Sequence, residues 1–242
     1  MLSFDALFPE GGMLTSFISV CIPHIILFAA ALFSIKTVLR ENIRDKKHTM
    51  KSYFMTILIS SLGIAFFQLF HISQMHRSSY SIKDWLTMLP AVLIIIPLQS
   101  AAEELLFRYP LMKLIESKRT IIPASMISGA LFLLFHMVAN TEFRDNPSFF
   151  LYLYYFLFGF CALALTAYSN DIMYTIIIHA VNNIFVLTVA GYTSSSLQTA
   201  PIFITEGVPS PLLSVITLTA VFSAVFLYLR GENNAKEKEK AE

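Results

Sequence analysis

An all-α fold, a polytopic membrane bundle of about seven transmembrane helices, is predicted by three observations. First, 56% of the 242 residues are apolar and only 14% are charged, against roughly 25% charged in soluble domains. Second, the chain holds apolar runs of about 20 residues, long enough to cross a hydrocarbon core about 30 Å thick. They cover 14–38, 53–74, 85–107, 121–139, 149–168, 172–190 and 210–229. Third, the gaps between runs are short enough to be turns, with no internal repeat and no long linker. A single transmembrane domain over 1–230 is therefore expected. The tail over 231–242 alternates in charge, which predicts a solvated, disordered cytoplasmic segment.

The first run is too long for the apolar region of a signal peptide, and no basic residue precedes Lys36. It holds His24, which with His71 of the second run reads as an interhelical hydrogen-bonding group. Its Cys21, like Cys161 of the fifth run, reads as a small packing residue. The third run ends in LQSAAEELLFRYPL, which places Glu103, Glu104 and Arg108 among apolar residues. The fourth ends in LFLLFHMVAN, with Phe132 and His136 on one helical face. The fifth, FFLYLYYFLFGF, reads as lipid-facing and packing surface. The sixth carries IIIHAVNN, with His179 and Asn183 on one face and Asn182 beside them.

Charge sets the expected orientation and excludes one class of partner. Arg40, Arg44, Lys46, Lys47 and Lys51 follow the first run, Lys113, Lys118 and Arg119 the third, and Lys236, Lys238 and Lys240 lie in the tail. The alternate gaps hold only Arg77, Lys83 and Arg144. The positive-inside rule then puts the N-terminus outside and the C-terminus in the cytoplasm of a multi-pass protein of the cell membrane. A net charge of +1, without a basic tract, argues against nucleic acid. The partner that composition implies is the lipid bilayer.

A charge near the bilayer centre costs about 2.5–3.5 kcal/mol even on lenient scales, so three of them within six residues require a reason. Glu104 and Arg108 are i and i+4 and can pair, each lowering the other's burial cost. Glu103 lies about 100° around the helix and is poorly placed to share that arginine. Counting residues from the connecting turns puts Glu103, His136 and His179 at similar depth, in the cytoplasmic half, in a pocket expected to open toward the cytoplasm. Such a cluster can serve hydrolysis, with water activated by the carboxylate, or a proton relay in a proton-coupled transporter. It can also serve folding alone, in a non-catalytic immunity or regulatory membrane protein. The absence of His-Glu-x-x-His and Gly-x-Ser-x-Gly sets aside zincin and serine-hydrolase readings.

Together, Glu103-Glu104-Leu105-Leu106-Phe107-Arg108, Phe132 to His136 and His179 to Asn183 resemble the EExxxR, FxxxH and HxxxN motifs of the CPBP family, the CAAX-protease and bacteriocin-processing intramembrane proteases. The resemblance covers roughly residues 85–190. It implies an all-helical intramembrane endopeptidase whose partner is a membrane-associated, prenylated or hydrophobic peptide or protein substrate, in peptide maturation or bacteriocin self-immunity. By analogy with that family, Glu103 is the general base, assisted by His136. His179 and Asn183 are donors to the oxyanion, and Glu104, Arg108 and Phe132 are supporting residues. The family leaves two mechanisms open, one metal-independent and one in which Glu103, His136 and His179 hold zinc.

Overall fold

The computed structural model describes residues 12–33, 49–115, 118–140, 142–145, 147–195, 197, 199–207 and 209–239. Its long helices are α1 (Met13–Phe33), α2 (Met50–Gln68), α3 (Ile82–Phe107), α5 (Ile121–Ala139), α7 (Phe149–Ser169), α8 (Met173–Thr188) and α9 (Pro211–Glu239), with two single turns, α4 (Tyr109–Met112) and α6 (Glu142–Asp145). Six of the long helices are long and apolar enough to cross a membrane, and α8 is a shorter apolar one. The chain is thus a multi-pass integral membrane protein built as a helical bundle. Large apolar side chains such as Ile94, Leu134 and Val138 point outward, as bilayer-facing helices require.

Four details differ from the sequence expectation. The second helix ends at Gln68 and tightens into a 3₁₀ turn over Leu69–Gln74. Helix α8 has 16 residues, about 24 Å at 1.5 Å per residue, which is short of a full span. A small sheet joins β1 (Met75–Arg77), β3 (Phe203–Thr205) and β2 (Ala190–Tyr192) in that spatial order, with β1 antiparallel and β2 parallel to β3. The expected disordered tail is instead helical, because α9 continues to Glu239. Ser52 donates to Glu232 at 2.5 Å and Lys236 lies 3.5 Å from Glu232, so alternating charge supports an exposed helix end fastened to α2. Residues 34–38 of the first run, the basic residues at 40, 44, 46 and 47, and 240–242 lie outside the described residues.

Local chemistry fixes the helix ends. Thr49 and Ser148 cap α2 and α7, and Ser81 with Asp84 forms a capping box that starts α3. Asn170, in the left-handed region at φ 53°, turns α7 into α8. Asp171 then accepts from the Tyr53 hydroxyl and the Met173 amide, which ties that turn to α2.

Helices α5 and α7 approach closely at two glycines. A Cβ on Gly159 would stand 2.7 Å from the Ser128 carbonyl and 2.8 Å from the Phe132 Cβ, and Ser128 Oγ donates to the Gly159 carbonyl at 2.9 Å. This crossing holds Phe132, and with it the following turn that carries His136. Gly159→Ala is expected to force the helices apart at a cost of about 1–3 kcal/mol, read as a lower melting temperature of the detergent-solubilised protein.

Candidate active site

The third helix delivers its polar residues in two layers. In the lower layer, Glu104 and Arg108 are both fully buried, and Arg108 Nε stands 3.0 Å from Glu104 Oε2. The guanidinium lies over the Phe132 ring, 4.6 Å from its centroid, a face that partly replaces lost hydration. Glu104 has a second partner that spacing along α3 does not reveal: its Oε1 accepts from His179 Nδ1 at 2.8 Å.

In the upper layer stands Glu103, 3% exposed. Three imidazoles face it: His136 Nε2 at 3.6 Å and His179 Nε2 at 3.9 Å from its Oε2, and His24 Nε2 at 3.7 Å from its Oε1. Gln99, one turn earlier on α3, donates to Oε1 at 3.3 Å. Oε2 accepts no hydrogen bond from the described residues. The ring orientations of two histidines are fixed from behind: His136 Nδ1 donates to the Phe132 carbonyl at 2.8 Å, and His179 Nδ1 donates to Glu104. Each therefore turns Nε2 toward Glu103, as a lone pair in the neutral ring.

Phe132 forms the wall between the layers. Its ring stacks on Phe158 at 5.1 Å and 12°, lies 4.1 Å from the His136 ring and covers Arg108. Asn183 lines the same cavity, and its Oδ1 accepts from Asn182 at 3.2 Å, which leaves its amide N–H groups as the donating end. The structure thus brings together Glu103, Glu104, Arg108, Phe132, His136 and His179 in direct contact, with Asn183 on the cavity wall. His24 and His71 also line the cavity. His24 meets its partner across a helix interface, and that partner is the Glu103 carboxylate, which the sequence does not reveal. No local pattern marks it: it lies on α1, far outside the motif core, and only the packing of α1 along α3 brings it in.

The cavity holds about 420 Å³, within the range of small-molecule and peptide-side-chain sites. It opens at the end of the bundle opposite to the one expected. Its lining on α5 and α7 begins at Phe132 and ends at Phe158, and on α9 it runs from Pro211 to Val221. These are the ends near the sheet and the 140–148 connection. Beneath Glu103 the bundle is closed by the fully buried Arg108, Glu104 and Tyr174 and the nearly buried Leu105 and Ile178. His179 lies six residues into α8, about 9 Å from its start, and meets Glu103 at the level of His136 as expected, while the cavity opens at the other end of the bundle. At the wall near the mouth, Glu142 accepts from Tyr192 at 2.5 Å and from Tyr155 at 3.2 Å, and burial raises its pKa against those two hydrogen bonds.

A zinc shell matches the donor types of this cluster but not its spacing. Carboxylate and imidazole suit zinc, and the backing of His136 and His179 through Nδ1 is what metal-bound histidines show. Ligands sharing a tetrahedral zinc at about 2.0–2.1 Å stand about 3.3 Å apart, whereas the N···O separations here are 3.6–3.9 Å. Among the described residues no group of three His, Cys, Asp or Glu side chains is placed to hold a metal ion. As arranged, the cluster is too wide for zinc.

Comparison with known proteins agrees with the motif resemblance. Residues 84–185 match the family model described as type II CAAX prenyl endopeptidase Rce1-like. The uncharacterized protein YyaK of Bacillus subtilis (strain 168) is 27% identical over 172 residues, which are 67% of this chain and 57% of that protein. The chain thus spans little more than half the length of this relative. No solved structure matches at a significant level.

Proposed function

We propose that this chain, Rce1-like over residues 84–185, is an intramembrane endopeptidase that hydrolyses a peptide bond with water activated by Glu103. The observation that carries the reading is a buried carboxylate oxygen, Glu103 Oε2, that accepts nothing from the described residues and faces two imidazoles fixed by their far nitrogens. A proton relay does not require such fixed, convergent geometry around one acceptor, whereas a general base does.

In this mechanism Glu103 Oε2 takes a proton from water while His136 Nε2 helps to hold it, and the oxygen attacks the carbonyl carbon. The Asn183 amide donates to the oxyanion that forms. His179, fixed through Nδ1 by Glu104, presents its Nε2 lone pair to the same water beside His136, in place of the donor role that the resemblance implies. Glu103 then returns its proton to the leaving amine, so the base ends the cycle as it began. Arg108 supports this through Glu104, and Phe132 keeps the guanidinium apart from the reacting groups. The reaction suits maturation of a membrane-associated peptide, or processing in bacteriocin self-immunity.

No step requires a metal. Purified protein is expected to keep its peptide cleavage, measured on a pool of hydrophobic peptides, after exhaustive treatment with a chelator, with less than one zinc per chain. Loss of cleavage on chelation, restored by zinc, would show that the cluster contracts around an ion.

A further inference from the structure

The direction in which the cavity opens bears on what reaches it. Most of the lining comes from the C-terminal halves of α2, α5 and α8 and the N-terminal halves of α7 and α9, with Tyr192, Ser195 and Pro209 from the connection between α8 and α9, while Gln99 and Glu103 of α3 and His179 of α8 lie at its floor. Lys83, Arg77 and Arg144 are the basic residues of the described chain at this end. At the opposite end lie Lys51, Lys113, Lys118, Arg119, Arg230, Lys236 and Lys238. An excess of lysine and arginine in short connections marks the cytoplasmic side. By that rule the closed end of the bundle faces the cytoplasm and the open end faces out.

The charge of the wall points the same way. Besides histidines, the ionisable residues lining the cavity are Glu103 at its floor, Glu142 near its mouth and tyrosines, with no lysine or arginine among the described residues. A substrate cleaved three residues before a free C-terminus would bring its carboxylate within about 10 Å of the reacting bond, near the Glu103 carboxylate and with no lysine or arginine on the wall to pair with it. An internal peptide segment, neutral or basic around the scissile bond, meets no such repulsion.

We propose that the substrate is a peptide segment already translocated across the membrane, entering from the extracytoplasmic face and cleaved at an internal, neutral or basic site. The substrate half rests on the endopeptidase reading; the orientation half does not.

Two measurements on the full chain in intact spheroplasts test it. In a Cys21→Ser, Cys161→Ser background, Ser214→Cys on the cavity wall and Lys113→Cys at the closed end are probed with a membrane-impermeant maleimide. The expected result is labelling at 214 in intact spheroplasts and at 113 only after permeabilisation. The reverse pattern would overturn the orientation. Peptides released outside and retained inside are then compared between the wild type and Glu103→Gln. Glu103-dependent products outside, with new termini at internal neutral or basic sites, are expected. Products confined to the inside, or ending in C-terminal tripeptide loss, would overturn the substrate assignment. If labelling is as expected and no Glu103-dependent product forms anywhere, the endopeptidase reading has failed and the substrate assignment falls with it, while the orientation stands.

Discussion

Glu103→Gln is expected to lower peptide cleavage by about 10²–10⁴-fold, the range that a positioned general base contributes, while the protein accumulates and melts as the wild type does. The amide keeps the shape of the side chain and can still accept from Gln99, which now lies 3.3 Å from Oε1. It removes only the capacity to take a proton from water. A carboxylate shortened by one methylene, Glu103→Asp, would stand about 1.5 Å further from His136 and His179, and it is expected to recover only a small part of the loss, because misplacement of about 1 Å can cost about 10²-fold. If Gln at this position left the rate within a few-fold of wild type, Glu103 would be a structural carboxylate and the assignment of the base would be wrong.

Arg108→Ala should act on the fold before it acts on chemistry. Both members of the Glu104–Arg108 pair are fully buried, and removing one partner of such a pair costs about 3–5 kcal/mol because the other charge is left uncompensated. The alanine also loses the guanidinium packed over Phe132. A large drop in melting temperature and in yield is therefore expected. In Arg108→Met combined with Glu104→Gln no unpaired charge remains, and most of the stability should return. Activity should not return with it, since glutamine at 104 backs His179 without a negative charge. Recovery of stability with a persistent loss of turnover would separate the two roles of Glu104, and full recovery of both would show that Glu104 serves packing alone.

These two roles show where sequence reasoning reaches its limit. The helices are legible because an apolar run long enough to cross a bilayer has few alternatives. The relation between Glu104 and Arg108 is legible because i and i+4 lie on one helical face. The bond from Glu104 to His179 is not, since it joins residues 75 apart on helices whose rotation about their own axes no local pattern sets. The role of His24 is hidden for the same reason: its Nε2 finds Glu103 across the α1–α3 interface.

Depth can be counted along the helices, but the opening of the cavity cannot. It depends on which side chains fill the space beneath Glu103, and Arg108 and Tyr174 do so from two different parts of the chain. The three-residue strands carry too few residues for an alternating pattern to show. The tail is helical through its Glu232 contacts with Ser52 and Lys236, of which only the spacing to Lys236 is local.

The central claim is that Glu103 activates a water molecule for attack on a peptide bond. It is tested most directly by incubating purified wild type and Glu103→Gln with the same pool of membrane peptides in ¹⁸O-labelled water and sequencing the products by mass spectrometry. The account predicts new C-terminal carboxylates carrying one ¹⁸O in the wild type and none above background in Glu103→Gln. Equal numbers of labelled termini from both proteins, or no new termini from either, would contradict it.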